Sequence, residues 1–201
     1  MNSDVAVDAR MEPRRKASTW NVANGLTALR IGLVPIFLLT LFERDGDSTA
    51  WRLIAASVFF LAALTDTVDG EIARKKGLVT EFGKLADPIA DKALIGSALV
   101  GLSLLNELAW WVTITILARE LGVTVLRLWV IRHGVIAASR GGKAKTLCQS
   151  LAIWLYVLPL DGLWRTAAAT IMLAAVVLTV ATGLDYLGHA LRLRRKPQAE
   201  G

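Results

Sequence analysis

The sequence predicts an all-α integral membrane protein: a bundle of six transmembrane helices preceded by a short N-terminal interfacial helix. Three observations predict it. Hydrophobic residues make up 54% of the chain and the mean hydropathy is +0.49, above the ~45–50% apolar content usual in soluble domains. These residues gather into six runs that approach or reach the ~17–25 residues needed to cross a bilayer. Lysine and arginine fill alternate connections: both ends and the loops near residues 75 and 140 are rich in them, while those near 45, 106 and 161 are poor. Positive residues stay on the cytoplasmic side, and six spans with both ends inside satisfy that alternation throughout.

Taken in order, residues 1–19 are polar, carry Arg10, Arg14, Arg15 and Lys16, and read as a disordered cytoplasmic segment. No apolar core with a small-residue cleavage site follows, so no signal peptide is expected. The membrane domain is expected over residues 20–190. Trp20 to Leu26 suits a short interfacial helix with Trp20 at headgroup depth. The first span runs from Leu26 to Phe42, with Pro35 expected to kink it and Arg30 one turn inside the interface, either snorkelling or meeting a phosphate. After the polar Glu43–Ala50 loop, the second span runs from Trp51 to Thr65 and continues as helix into a cluster of aspartates. The Arg74-Lys75-Lys76-Gly77 run reads as a turn. The third span starts near Pro88, as a first-turn proline, and ends at Leu105; Asn106-Glu107 turns into the fourth, Leu108–Ile131. A basic loop, Arg132–Lys145, leads to the fifth span, Thr146–Leu160, and Pro159–Gly162 turns into the sixth, Thr166–Leu187. Residues 191–201 form a basic cytoplasmic tail.

The net charge of +6 lies beside apolar segments, where it suits anionic lipid headgroups; a nucleic-acid partner would call for a soluble basic face with stacking aromatics. Cys148 is the only cysteine, which excludes a disulfide framework and a cysteine metal site and leaves a buried packing role. His133 and His189 read as interfacial side chains. Trp51, Trp110, Trp111 and Trp164 fall at outer boundaries as belt residues do.

The stretch from Asp66 to Asp91 carries the chemistry. It holds two carboxylate pairs, Asp66/Asp69 and Asp87/Asp91, and helical spacings of three and four put each pair on one face. An aspartate costs roughly 2.5–3.5 kcal/mol at the centre of a membrane helix, so four of them need a task. Converging carboxylates repel unless cations join them, and an all-oxygen set suits Mg²⁺, Mn²⁺ or Ca²⁺ better than zinc or copper. Gly70 and Ala73 serve either helix packing or the close approach of a phosphate beside Arg74. Together these parts suggest metal-assisted displacement at phosphorus, with a spare carboxylate taking a proton from an attacking hydroxyl.

The pattern Asp66-x-x-Asp69-Gly70-x-x-Ala73-Arg74, eight residues, then Gly83-x-x-x-Asp87-x-x-x-Asp91 resembles the signature of the CDP-alcohol phosphatidyltransferases at every defined position. Asn24-Gly-Leu-Thr27-Ala-Leu-Arg30, Asp87-Pro-Ile-Ala-Asp91-Lys92 and Ala118-Arg119-Glu120 look like the bacterial branch that makes phosphatidylglycerol phosphate, although Asn21-Val-Ala-Asn24 lacks the proline often found there. The resemblance covers residues 20–190. It implies a six-helix homodimer in the inner or plasma membrane, with its active site and both termini cytoplasmic. It implies transfer of a phosphatidyl group from CDP-diacylglycerol to an alcohol, here sn-glycerol 3-phosphate, among membrane lipids and with no nucleic acid involved. By the same resemblance Asp66, Asp69 and Asp87 bind two divalent ions, Mg²⁺ or Mn²⁺, with Asp91 sharing the second and acting as general base. Gly70, Ala73, Arg74 and Gly83 line the cytidine diphosphate site, and Asn24, Thr27 and Arg30 are counted with the ligand-binding residues. Arg119, Arg127, Lys143 and Lys145 supply cations for an acceptor that carries its own phosphate; Arg119-Glu120 also fits a structural ion pair, and the two lysines also fit ordinary positive-inside loop residues.

Other readings compete. Within the family, the cardiolipin-forming relatives use phosphatidylglycerol as acceptor, and inositol phosphate would satisfy the same charges. A small divalent-cation transporter also buries acids, but near the midplane with broken helices and an internal repeat, neither of which is legible here. A membrane prenyltransferase shares paired aspartates with Mg²⁺ but lacks the Gly-x-x-Ala-Arg element.

Overall fold

A computed structural model describes the backbone of residues 22–76, 81–130 and 140–195, and the side chains of residues 25–65, 89–126 and 145–189. Among the described residues the chain forms six α-helices, one 3-10 turn and no strand: α1 (Val22–Phe42), the turn Glu43–Gly46, α2 (Thr49–Lys76), α3 (Glu81–Leu104), α4 (Trp110–Val130), α5 (Arg140–Val157) and α6 (Gly162–Arg195). The six expected apolar segments are each helical. Two helices are long and apolar enough to cross a bilayer, over Gly25–Gly46 and Gly162–His189, and Thr49–Thr65 is a shorter apolar helix.

Several helix ends differ from the sequence expectation, and for one reason: hydropathy marks where a helix is greasy, not where its hydrogen bonds stop. Val22–Leu26 is the first turn of α1 and not a separate interfacial helix, while Trp20 lies outside the described residues. Helix α2 continues through Arg74, Lys75 and Lys76, so these residues are not the turn; residues 77–80 lie outside the described set. Helix α3 starts seven residues before Pro88, so the proline is interior; its ring removes a single backbone donor, a loss that membrane helices accommodate through their neighbours. Arg140–Lys145 and Leu191–Arg195, expected as loop and tail, are helical. Pro35 stays inside a continuous α1.

The turns have local causes. Asn106 ends α3 in the left-handed conformation (φ 58°), which asparagine tolerates, and Glu107 N–H donates back to Leu102 O at 2.9 Å, satisfying an orphan helix-end carbonyl. The α1–α2 turn needs glycine at Gly46: its φ is +79°, and a Cβ there would stand 2.8 Å from Leu105 Cδ1.

Helix α1 packs against α2 and α3, α5 against α6, α6 against α4, and α2 against α5. The core runs through Phe37, Leu41, Phe59, Leu99, Leu102, Ile116, Ile153 and Met172, all essentially inaccessible; the Phe37 and Phe59 rings meet at 5.6 Å. Outward faces are apolar as well, with Leu39 72% exposed, the inverse of a soluble surface. Exposed hydroxyls on these helices turn back to their own helix: Ser57 donates to Leu53 O at 2.8 Å and Thr115 to Trp111 O at 2.7 Å, as an apolar surrounding favours.

The end of the bundle that carries Trp110, Trp111 and Trp164 is braced by one buried guanidinium. Arg52, at the start of α2, is 5% exposed. It donates from Nε to Val157 O (2.8 Å), from Nη2 to Tyr156 O (2.7 Å) and from Nη1 to Glu107 Oε1 (2.8 Å). Glu107 also pairs with Arg165, whose guanidinium lies 4.4 Å over the Tyr156 ring. Four elements are thus tied together: α2, the α3–α4 turn, α5 and α6.

Candidate active site

The opposite end holds the aspartates. On the helical backbone Asp66, Asp69, Gly70 and Ala73 follow one another at helical spacing along α2, and Gly83, Asp87 and Asp91 recur every four residues along α3. Because α3 starts at Glu81, the second pair sits within a helix and not at its mouth. Of the four aspartates only Asp91 has a described side chain. The side chains of Asp66, Asp69, Gly70, Ala73, Arg74, Gly83 and Asp87, with those of Asn24, Arg127 and Lys143, lie outside the described residues.

Asp91 is half-buried and stands at the junction of two cavities. One, of about 130 Å³, gathers polar groups in otherwise apolar walls: Asp91 and Lys92 from α3, Glu120 from α4, Lys145 and Gln149 from α5, beside Ile95, Leu117 and Leu121. The other, of about 280 Å³, is apolar and lies between α1, α2, α3 and α5, with Phe59, Phe60, Leu94, Leu151 and Trp154 in its walls. Phe60 and Trp154 stack at 5.7 Å, and the Trp154 indole N–H donates to Ala56 O at 3.1 Å, which fixes that wall.

Lys145 is 4% exposed and ion-paired with Glu120. Glu120 also meets Arg119 at 3.2 Å. One carboxylate faces two cations, and Asp91 lines the same cavity as Lys145. The two cations face different ways, however. Lys145 lines the smaller cavity, whereas Arg119 turns to α6, donating from Nη2 to Thr182 Oγ1 at 2.9 Å and packing on Gly183, where a Cβ would stand 3.0 Å from Arg119 Cγ. The expected convergence of Arg119 and Lys145 therefore holds through Glu120 and not at a shared surface. The ion pair and the cavity-lining cation are both present.

Arg30 is fully buried and lines the apolar cavity; it does not snorkel. Thr27, 1% exposed, lies one turn before it on α1. Cys148 is half-buried, its Sγ 3.7 Å from Ile171 O. His189 does have a carboxylate at helical spacing, 3.4 Å from Asp185 Oδ1, though both are exposed. Sequence reasoning passed over Gln149 and paired Glu120 with Arg119 alone, without Lys145. The signal was there for both: Gln149 follows Lys145 at i,i+4, and Glu120 is an acid inside an apolar run that suits a cation from another helix.

Comparison with known proteins fits this layout. The family model described as CDP-alcohol phosphatidyltransferase matches residues 20–181. A Mycobacterium tuberculosis (strain H37Rv) protein named "Probable phosphatidylglycerophosphate synthase" is 56% identical over 191 residues, covering 94% of this chain and 91% of that one. The CDP-diacylglycerol–glycerol-3-phosphate 3-phosphatidyltransferase of Bacillus subtilis (strain 168) is 38% identical over 83% of this chain and 93% of its own. Its Escherichia coli (strain K12) counterpart is 36% identical over 85% and 95%. The crystal structure of Mycobacterium tuberculosis phosphatidylinositol phosphate synthase with CDP-DAG bound superposes with a TM-score of 0.63 at 20% identity, over 91% of this chain and 92% of that one, a likeness of fold. With a family model spanning four-fifths of its length and relatives at such identity, this chain belongs to the CDP-alcohol phosphatidyltransferase family.

Proposed function

We propose that this protein transfers the phosphatidyl group of CDP-diacylglycerol to sn-glycerol 3-phosphate, giving phosphatidylglycerol phosphate and CMP. One observation carries the reading: Asp91 stands between a cavity that holds Lys145 and Lys92 and a larger apolar cavity lined by Phe59, Phe60, Leu94 and Leu151. A charged, water-soluble acceptor suits the first, and a diacylglycerol chain suits the second. The names of relatives at 36–56% identity support the same acceptor.

Asp91 takes the proton of the acceptor's primary hydroxyl. That oxygen bonds to the phosphorus carrying diacylglycerol, the bond from that phosphorus to the bridging oxygen breaks, and CMP leaves with the electron pair. Lys145, held by Glu120, binds the acceptor's own phosphate, with Arg119 contributing its field and Arg127 and Lys143 completing the basic set. Gly70, Ala73, Arg74 and Gly83 line the cytidine diphosphate, and Asn24, Thr27 and Arg30 close the site from α1.

Four carboxylates from two helices make an all-oxygen donor set, which fits hard divalent cations. Bound by Asp66, Asp69, Asp87 and Asp91, two ions of the Mg²⁺ or Mn²⁺ kind would neutralise the diphosphate and the departing CMP. Six spans in the cell membrane, with both termini and the aspartates cytoplasmic, are supported by the alternating basic loops and by tryptophans at the far end of the bundle. The protein works as a homodimer in this reading.

The test is CMP release by purified protein with CDP-diacylglycerol, Mg²⁺ or Mn²⁺, and one acceptor at a time. Turnover with sn-glycerol 3-phosphate is expected. Turnover with phosphatidylglycerol alone would move the protein to the cardiolipin-forming branch and remove the phosphate role of Lys145.

A further inference from the structure

The smaller cavity holds a deeply buried polar group that the transfer as written leaves without a task. Gln149 lies on α5 one turn beyond Lys145, on the same helix face. It is 3% exposed and lines the cavity with Asp91, Lys92 and Lys145. Its Oε1 is buried and has no hydrogen-bond partner among the described residues. A buried polar atom left unpaired is costly, and methionine or leucine would fill the same volume on an apolar helix at no such cost. The oxygen therefore awaits a donor from a ligand.

Chemistry narrows the donor. The phosphates of both substrates are ionised and accept only, and the ribose and amino donors of the nucleotide belong, in the proposed reading, to the cytidine site of Gly70, Ala73, Arg74 and Gly83. The attacking hydroxyl gives its proton to Asp91. One donor is left on the acceptor: the hydroxyl on the carbon between the attacking oxygen and the phosphate. We infer that Gln149 is a specificity-determining residue whose Oε1 accepts a hydrogen bond from this non-reacting hydroxyl. A cavity of about 130 Å³ has the room, a single water needing only ~10–15 Å³ by the same measure. The inference rests on the glycerol-phosphate reading and deepens it, because it makes the polyol, beyond the phosphate, part of what is recognised.

The experiment compares sn-glycerol 3-phosphate with 3-hydroxypropyl phosphate, which lacks only the middle hydroxyl, in wild type and Gln149→Met. The wild type is expected to favour glycerol 3-phosphate by about tenfold or more in kcat/KM, largely through KM. Gln149→Met should lower kcat/KM for glycerol 3-phosphate by about ten- to a hundredfold and leave 3-hydroxypropyl phosphate nearly unchanged, so the preference collapses. Gln149→Glu, which keeps an acceptor oxygen, should restore part of it. Equal use of both acceptors by the wild type overturns the inference whether or not any variant folds. Proportional loss of both in Gln149→Met overturns it as well, since that is the mark of a structural role. If the wild type turns over neither acceptor, the glycerol-phosphate reading falls and takes this inference with it.

Discussion

Replacing Glu107 with glutamine would test the clasp around Arg52. Glu107→Gln keeps the shape and one acceptor but removes the charge opposite a guanidinium whose side chain is 6% exposed; Glu107 itself is 31% exposed. Breaking a fully buried pair costs about 3–5 kcal/mol, and an exposed one is worth about 0–1 kcal/mol. With one partner buried, the carbonyls of Tyr156 and Val157 still bonded to Arg52 and the amide oxygen retained, the loss comes to about 2 kcal/mol. For a chain of this length that lowers Tm by about 4–8 °C. Arg52→Met should cost more, about 4 kcal/mol, because the carbonyls of Tyr156 and Val157 lose their donors along with Glu107. Arg165→Ala should cost about 1 kcal/mol, since that pair is more exposed. Cys148, the only thiol and half-buried, makes a thiol-reactive dye a direct reporter of thermal unfolding in detergent. CMP release at low temperature should be preserved in all three, because the clasp lies at the end of the bundle away from Asp91. A Glu107→Gln variant that melts with the wild type, or an Arg165→Ala variant less stable than Arg52→Met, would refute the reasoning.

The other predictions concern the site and one turn. Asp91→Asn should cut turnover by about 10²–10⁴-fold, the range a general base supplies, while CDP-diacylglycerol still binds in a direct titration. Lys145→Ala should raise KM for glycerol 3-phosphate by about ten- to a hundredfold with little change for the lipid nucleotide, whereas Arg119→Ala should act mainly on Tm, its guanidinium being engaged with Thr182. Chelation by EDTA should abolish CMP release, and Mg²⁺ or Mn²⁺ should restore it. Gly46→Ala should lower stability by about 1–2 kcal/mol from the left-handed backbone alone, seen as a fall in Tm, with the Leu105 contact adding to it.

What was legible in the sequence follows from what leaves a one-dimensional trace. Apolar runs do, so all six helices were found; the aspartate spacing does, so the acid-bearing end of α2 and α3 could be marked as the candidate reacting end. Helix ends that leave the greasy zone do not: Glu81, Arg140 and Arg195 belong to helices, yet no hydropathy window reaches them, and Pro88 looked like a start for that reason. Contacts between distant segments leave no trace either. Arg52 reads as a lone cation near a span end, and only the packing of α5 on α2 reveals the carbonyls of Tyr156 and Val157 beside it. Arg30 near an interface reads in one dimension as snorkelling or meeting a phosphate, and only the neighbouring helices show it fully buried. Gln149, a neutral polar residue in an apolar run, gains its meaning from Asp91 and Lys145 across the cavity.

The place of Asp91 between two dissimilar cavities has a kinetic consequence. One reagent arrives from three dimensions and the other from two. The soluble acceptor is counted in moles per litre, but the nucleotide lipid is counted as a fraction of the surface, and it reaches the carboxylate by lateral diffusion. Diluting the lipid with inert detergent or phospholipid should then slow turnover at constant bulk concentration, while diluting the whole vesicle suspension should affect only the acceptor side. In the proposed reaction the newly made lipid then leaves sideways into the leaflet its precursor came from, without carrying its chains through water.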